Sequence, residues 1–259
     1  MIDTSKAALL LIGHGSARNQ QSRVPTERLA EELRRRGLFA QVEACFLKEP
    51  PLIADALARL STPTVIAVPN LAGEGPLVRN DIPRMLGLTG DEPTGRDGRR
   101  ILYTRPVGSH PRIPDLIRRR VTGLITSQRL SPDEVCLLLV GHGSSRPGGA
   151  ATTAQAIAAA LRDSAFVGTV ALAYLEQAPF VADWRALTAA RTVIVAPLLI
   201  AEGLHGSEDL PPLFGLTPGQ GGPAAIDGRR VWLCPGIGAD PDIADLILDR
   251  VQDCLASSP

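Results

Sequence analysis

The chain repeats itself at a constant offset, and that duplication limits it to architectures that can be built twice from one plan. Leu9-Leu10-Leu11-Ile12-Gly13-His14-Gly15-Ser16 returns 128 positions later as Leu137-Leu138-Leu139-Val140-Gly141-His142-Gly143-Ser144. The same step carries Pro69 to Pro197, Glu74 to Glu202, Gly75 to Gly203, Asp81 to Asp209, Pro83 to Pro211 and Gly87-Leu88-Thr89 to Gly215-Leu216-Thr217. It then widens to 130, where Asp97-Gly98-Arg99-Arg100 matches Asp227-Gly228-Arg229-Arg230 and Asp115-Leu116-Ile117 matches Asp245-Leu246-Ile247. Two residues are inserted in the Gly/Pro-rich loop between, the kind of segment that tolerates insertion. Two positions with coordinating side chains in the second copy, Glu176 and His205, stand where the first copy has Lys48 and Leu77. One copy therefore carries metal-capable side chains that the other lacks.

Each copy reads as four β-α units. In the first, short apolar runs predict strands over 7–12, 40–46, 64–68 and 100–103, and helical spacing predicts helices over 25–33, 52–60, 79–86 and 113–126. The first strand is a continuous apolar run ending at Gly13, which suits a strand covered on both faces. The helix after it places Leu29 and Leu33 one turn apart, with acid early, Arg34-Arg35-Arg36 late and Gly37 as its stop, as the helix dipole favours. The second copy repeats the order, with strands over 135–140, 169–175, 192–196 and 230–233 and helices over 149–162, 180–188, 207–213 and 242–255. Strand alternating with helix at this rhythm predicts an α/β fold: two tandem domains, each a parallel four-stranded sheet flanked by helices, with a cleft between them. The expected domains are residues 1–128 and 129–259, joined near 126–134, where Ser, Gln, Pro and Asp interrupt the periodicity.

Bulk composition excludes several classes of partner. Lys and Arg number 27 against 27 Asp and Glu, and aromatic residues make up 3%, so neither a basic face nor a stacking platform for nucleic acid is expected. No apolar run approaches the roughly 20 residues of a membrane span, and no leader precedes the first strand, so a cytoplasmic protein is expected. A periplasmic sugar- or phosphate-binding module, which needs an export signal, is disfavoured on the same ground. Cys45, Cys136, Cys234 and Cys254 are far apart, mostly in or beside apolar runs, and read as reduced, structural thiols.

In open parallel sheets, ligands bind beyond the carboxyl ends of the strands. His142 follows the first strand of its copy, Glu176 the second and His205 the third, so all three are expected at one rim. Singly, such a His reads as a polar residue at a sheet edge, and such a Glu as a solvated loop carboxylate. Together, two imidazoles and a carboxylate suit a divalent Fe, Co, Ni or Zn ion with coordination positions left open. His14 keeps the Gly-His-Gly-Ser setting without these partners and reads as a cleft-lining or hydrogen-bonding residue. His110 reads as a loop or helix-start residue. The glycines lack the spacings of dinucleotide and phosphate loops, and neither Gly15-Ser16-Ala17 nor Gly143-Ser144-Ser145 is a nucleophile elbow.

The Gly-His-Gly-Ser strand end, the Phe46-Leu47 and Tyr174-Leu175-Glu176 segments, and Ala201-Glu202-Gly203-Leu204-His205 before Glu208-Asp209-Leu210-Pro211 resemble the class II tetrapyrrole chelatases. The nearest group is that of the sirohydrochlorin cobaltochelatases (CbiX type) and ferrochelatases, matched once per half over nearly the whole chain. The resemblance implies ATP-independent insertion of Co²⁺ or Fe²⁺ into sirohydrochlorin, an octacarboxylate tetrapyrrole, toward cobalamin or siroheme. It implies that His142 and His205 are the metal-site histidines and catalytic residues, with Glu176 their acidic partner, and that the first half is catalytically empty. Beyond the divalent metal substrate no cofactor is expected, and the chain is expected to act as a monomer or homodimer. A substrate of that charge calls for local positive groups. Arg146, the nearby Ser144, Arg18 as the repeat mate of Arg146, and His14 are the substrate-binding candidates, with Arg79 a further first-half arginine, whereas Arg118-Arg119-Arg120 reads as a solvated helix face. A non-catalytic metal-delivery protein of the same fold is the alternative, distinguished by whether a carboxylated macrocycle binds.

Overall fold

A computed structural model describes residues 3–17, 19–88, 95, 98–144, 151–200 and 208–257. Two compact units emerge: residues 1–110 with 241–259, and residues 111–240. The boundary of the compact units thus differs from that of the sequence repeat. The last helix of each copy is counted with the sheet of the other copy.

Unit 1 holds β1 (Ala8–Gly13), β2 (Gln41–Phe46), β3 (Thr64–Pro69) and β4 (Arg100–Tyr103), with helices α1 (Val24–Arg35), α2 (Ile53–Arg59) and α3 (Ile82–Leu86). The strands form a parallel sheet in the order β2-β1-β3-β4. Every residue of β1 is buried, as expected of a central strand covered on both faces. One face packs Ala8, Leu10 and Ile12 against Ile53, Ala56, Ile82 and Leu86 of α2 and α3. The helix of 113–128 is α4 (Ile113–Gln128) and belongs to unit 2.

Unit 2 holds β5 (Val135–Gly141), β6 (Thr169–Tyr174), β7 (Thr192–Pro197), β8 (Ala224–Ile226) and β9 (Arg229–Leu233), with α5 (Ala151–Asp163) and α6 (Leu210–Leu213). Its sheet runs β6-β5-β7-β9-β8, parallel except for the antiparallel pair β8-β9. The expectation of four strands is corrected here by the added β8. The hairpin turns at Asp227 and Gly228, whose φ values of 51° and 73° are those that an Asp-Gly pair supplies in a tight two-residue turn. The core centres on Trp184 and Phe214, with ring centroids 5.4 Å apart, around Leu138, Val140, Val193 and Val195.

The C-terminal helix α7 (Ile243–Ser257) completes unit 1, burying Ile243, Leu246, Ile247 and Val251. In unit 2 the corresponding helix is α4, and its basic run is not simply solvated as its composition suggested. Arg118 is exposed and pairs with Asp115. Arg120, however, donates to the carbonyls of Pro235 and Gly236 at 2.6 and 3.3 Å and to Asp240 at 3.0 Å. Asp240 is buried, and Arg119 reaches it at 3.5 Å. The guanidinium groups therefore anchor α4 to the turn of Ile237–Ala239.

Two expected helices take other forms. Residues 180–188 form a short 3-10 segment at Val181–Ala186. The 79–86 helix begins as a wide π-type turn over Leu77–Asp81, in which Ile82 N–H donates to Leu77 O, before α3. Pro83 explains the wide turn, because it has no N–H to give to the carbonyl four residues back and its ring crowds that carbonyl. Tyr103 at the end of β4 donates its hydroxyl to Val78 O at 2.8 Å, occupying a carbonyl of the widened turn.

Candidate metal and substrate site

The Gly-His-Gly-Ser loop of unit 2 begins where β5 ends. Gly141 faces Tyr174 in the register of β5 with β6, and a Cβ on Gly141 would lie 3.0 Å from the Tyr174 ring. The main-chain pairing continues past the strands: Leu175 N–H donates to Gly141 O at 3.1 Å and Glu176 N–H to His142 O at 2.9 Å. Two side chains that follow different strands are thereby fixed next to each other. Glu176 Oε2 lies 3.6 Å from His142 Nδ1, and both side chains are about half exposed.

The loop holds the imidazole in one orientation. Gly143 adopts φ 80°, and a Cβ there would meet Gln177 Cγ at 2.8 Å; the left-handed backbone and the close approach both demand glycine. Ser144 N–H donates to Gln177 Oε1 at 2.9 Å, which closes the turn. His142 Nδ1 lies 3.3 Å from Gly143 O. A carbonyl only accepts, so an imidazole that donates here carries its proton on Nδ1 and its lone pair on Nε2. A carbonyl or carboxylate at one nitrogen commonly orients a metal-ligating His in this way. In that tautomer Nε2 is the atom able to hold a divalent ion.

Unit 1 builds the same loop with a different electrostatic character. His14 Nδ1 lies 2.9 Å from Gly15 O, Lys48 N–H donates to His14 O at 3.1 Å, and Gly15 has φ 68°. The acid is displaced by one residue. Glu49, at the position of Gln177, is buried, accepts from Ser16 N–H at 2.9 Å and from Ser22 Oγ at 3.3 Å, and lies 3.8 Å from Arg23. Glu49 therefore braces the loop instead of standing beside the imidazole, and exposed Lys48 takes the place of Glu176.

The structure thus brings together His142, Glu176 and Ser144. His205, Arg146 and Arg18 lie outside the described residues, and among the described residues no three His, Cys, Asp or Glu side chains converge as a metal cluster. His14 and His110 both belong to unit 1. His110 caps the turn of Val107–Ser109, is buried, and has its Nε2 3.8 Å from Asp249. Sequence reasoning missed the bracing pair Gln177 and Glu49. Its signal was the offset between Lys48-Glu49 and Glu176-Gln177, in which the acid changes place within the repeat. Cys45, Cys136 and Cys234 are buried free thiols and Cys254 is partly exposed; burial pushes Cys234 up to about 11, against an opposing pull from Arg120.

A probable sirohydrochlorin cobaltochelatase of Halobacterium salinarum is 30% identical over 266 residues, covering 95% of this chain and 91% of its own length. A sirohydrochlorin cobaltochelatase of Methanothermobacter thermautotrophicus is 31% identical over 137 residues, which is 47% of this chain but 94% of that relative. The sirohydrochlorin chelatase SirB of Bacillus subtilis subspecies spizizenii, solved in complex with cobalt, matches with a TM-score of 0.69 at 21% identity, over 96% of this chain and 95% of its own. That likeness speaks for the fold. The CbiX family profile matches twice, over residues 8–124 and 136–254. With one match laid on each copy of the duplication, and a relative aligned over nearly the full length, the chain belongs to the CbiX family.

Proposed function

We propose that the chain is a sirohydrochlorin chelatase, a lyase that inserts Co²⁺ or Fe²⁺ into the macrocycle without ATP. The observation that carries this reading is the placement of His142 and Glu176 side by side at the carboxyl rim of β5 and β6, in a chain whose two halves both match CbiX. Insertion requires a bound ion to lose water and two pyrrole N–H protons to leave. A site for it must hold the ion moderately and accept protons near neutral pH, and imidazole does both. His142 presents Nε2 for ion or proton, and His205 joins it by resemblance to the family. Glu176 sits on the Nδ1 side, where its charge offsets an imidazolium formed at His142. The ligand types suit cobalt and iron alike.

The test is anaerobic insertion followed by absorbance, with Co²⁺ and with Fe²⁺, for the wild type and for His142→Ala, His205→Ala and His14→Ala. Loss of activity in the first two with His14→Ala largely active supports the site in the second copy. A wild-type rate equal to spontaneous insertion with both ions would sink the enzyme reading and leave a metal-delivery protein as the better account.

A further inference from the structure

Unit 1 lacks the acid and the second histidine, yet it gathers guanidinium groups at the same end of its sheet. Glu74, beyond β3, accepts on Oε1 from Arg105 Nε at 2.7 Å and from Ser109 Oγ at 3.2 Å. Arg105 Nη2 lies 2.5 Å from the same oxygen, and Arg79 Nη2 lies 3.4 Å from Oε2. Behind Ser109, Arg250 of α7 is 3% exposed and lies 3.8 Å from Asp253. It donates from Nη2 to Ser109 Oγ at 3.0 Å, while its buried Nε has no hydrogen-bond partner among the described residues. Among the described residues, three guanidinium groups thus face two carboxylates, one of them the mostly exposed Asp253.

Burial first, and then the neighbouring Arg105, depress the pKa of Arg250, while Asp253 and Glu74 pull it upward. Arg79 and Arg105 are 59% and 65% exposed. The sequence of the other copy does not supply the same side chains. Arg79, Arg105 and Ser109 correspond there to Ser207, Pro235 and Ala239, and Arg120, the counterpart of Arg250, is bonded to Pro235 O, Gly236 O and Asp240.

We propose that Arg79 and Arg105, backed by buried Arg250, form a carboxylate-binding site at the carboxyl rim of unit 1, whose ligand is the peripheral carboxylates of the polycarboxylate tetrapyrrole. This rests on the chelatase reading above. Guanidinium forks match carboxylates in two-point geometry. Glu74 keeps the forks aligned when no ligand is bound, and exposed arginine–carboxylate pairs are weak enough to exchange partners at little cost. Arg250 is too buried to reach a ligand. It holds Ser109, and through it Glu74, and adds a charge that water screens poorly.

The experiment titrates the full chain with sirohydrochlorin in the absence of metal, following the macrocycle's absorbance. Co²⁺ affinity, melting temperature and insertion kinetics are measured in parallel. The variants are Arg79→Gln, Arg105→Gln, their combination, the corresponding Lys variants, and Arg84→Gln as a control for an exposed arginine paired with Asp81. The double Gln variant should raise the Kd for sirohydrochlorin about tenfold or more, as expected for lost charge-assisted bonds. It should raise KM with little change in kcat, weaken the salt dependence of binding, and leave Co²⁺ affinity unchanged. Lys should recover part of the loss, and Arg84→Gln should stay within about twofold of wild type. A double Gln variant that binds and metalates sirohydrochlorin like wild type overturns the site while leaving the chelatase reading intact. A weakened Kd that Lys does not relieve, accompanied by an equal loss of Co²⁺ affinity, makes the cluster a structural network and also overturns it. A wild type that neither binds nor metalates sirohydrochlorin defeats the chelatase reading itself.

Discussion

His142 is held by a glycine turn and faced by a carboxylate, and replacing the two in turn separates its position from its reactivity. At Gly143 an alanine would carry φ 80° and a Cβ 2.8 Å from Gln177. The left-handed conformation alone costs about 1–2 kcal/mol for a residue with a Cβ, so Gly143→Ala should lower the melting temperature by roughly 2–8 °C. Insertion activity should fall further than that loss explains, because the turn sets the ring. Glu176→Gln keeps the shape and removes the charge beside Nδ1. Losses of about ten- to a hundredfold are usual when a partner of a metal-site histidine is removed, and a comparable drop in insertion rate with an unchanged melting temperature is the expected outcome. Glu74 offers a test in acid. Burial works to raise its pKa, but Arg105, Ser109 and Arg79 outweigh burial and hold it low. Its contribution to stability is therefore complete above the unfolded value of about 4.3 and drains away as pH falls through the lower folded value. Melting curves from pH 7 to pH 3 should show a shallower acid decline for Glu74→Gln. At this scale the pairing of His142 with Glu176 was legible, because each directly follows a strand and the two strands proved adjacent. The bracing by Gln177 was not, since a glutamine accepting from a backbone N–H leaves no periodic mark.

Elements were legible where they follow one rule and obscure where two rules compete. The strands β1, β5 and β7 are short, mostly apolar runs buried from end to end, and β3 is buried from Val65 onward; the runs alone placed them. The segment at 77–86 has helical spacing, but Pro83 forbids one of its bonds and the turn widens. β8 was missed despite its Asp227-Gly228 turn, because a three-residue strand is too short to show alternation. The widened turn makes a prediction of its own. Tyr103 is largely buried, its hydroxyl pKa is pushed up by that burial, and the hydroxyl occupies Val78 O. Tyr103→Phe should cost about 1–3 kcal/mol, the range for leaving a buried polar group unsatisfied. Urea unfolding would register it as a lower midpoint with an unchanged slope; a loss under about 0.5 kcal/mol would mean that water reaches the carbonyl instead.

At the scale of the whole molecule, the duplication in sequence and the compact units in space are cut differently. α4 and α7 look interchangeable in the chain: both are amphipathic, follow the last strand of their copy, and keep Asp-Leu-Ile in register. Periodicity says that each covers a sheet but not which sheet, because that choice is made by contacts between residues far apart in sequence. His110 with Asp249 in unit 1, and Arg120 with Asp240 in unit 2, are such contacts. Here the two copies differ in chemistry at matched positions: Arg119 corresponds to Asp249, and His110 to Asp240. Removing 241–259 therefore takes a helix from unit 1 although the deleted residues close the second copy. Ile243, Leu246, Ile247 and Val251 would lose their burial, at about 1.5–3 kcal/mol each, which rivals the entire 5–15 kcal/mol by which a domain is usually stable. Hydrogen exchange on the truncated chain should show β1–β4 losing protection while β5–β9 keep most of theirs. Loss concentrated in β5–β9 would instead assign α7 to the sheet of its own copy and refute the division of the molecule at residues 110 and 240.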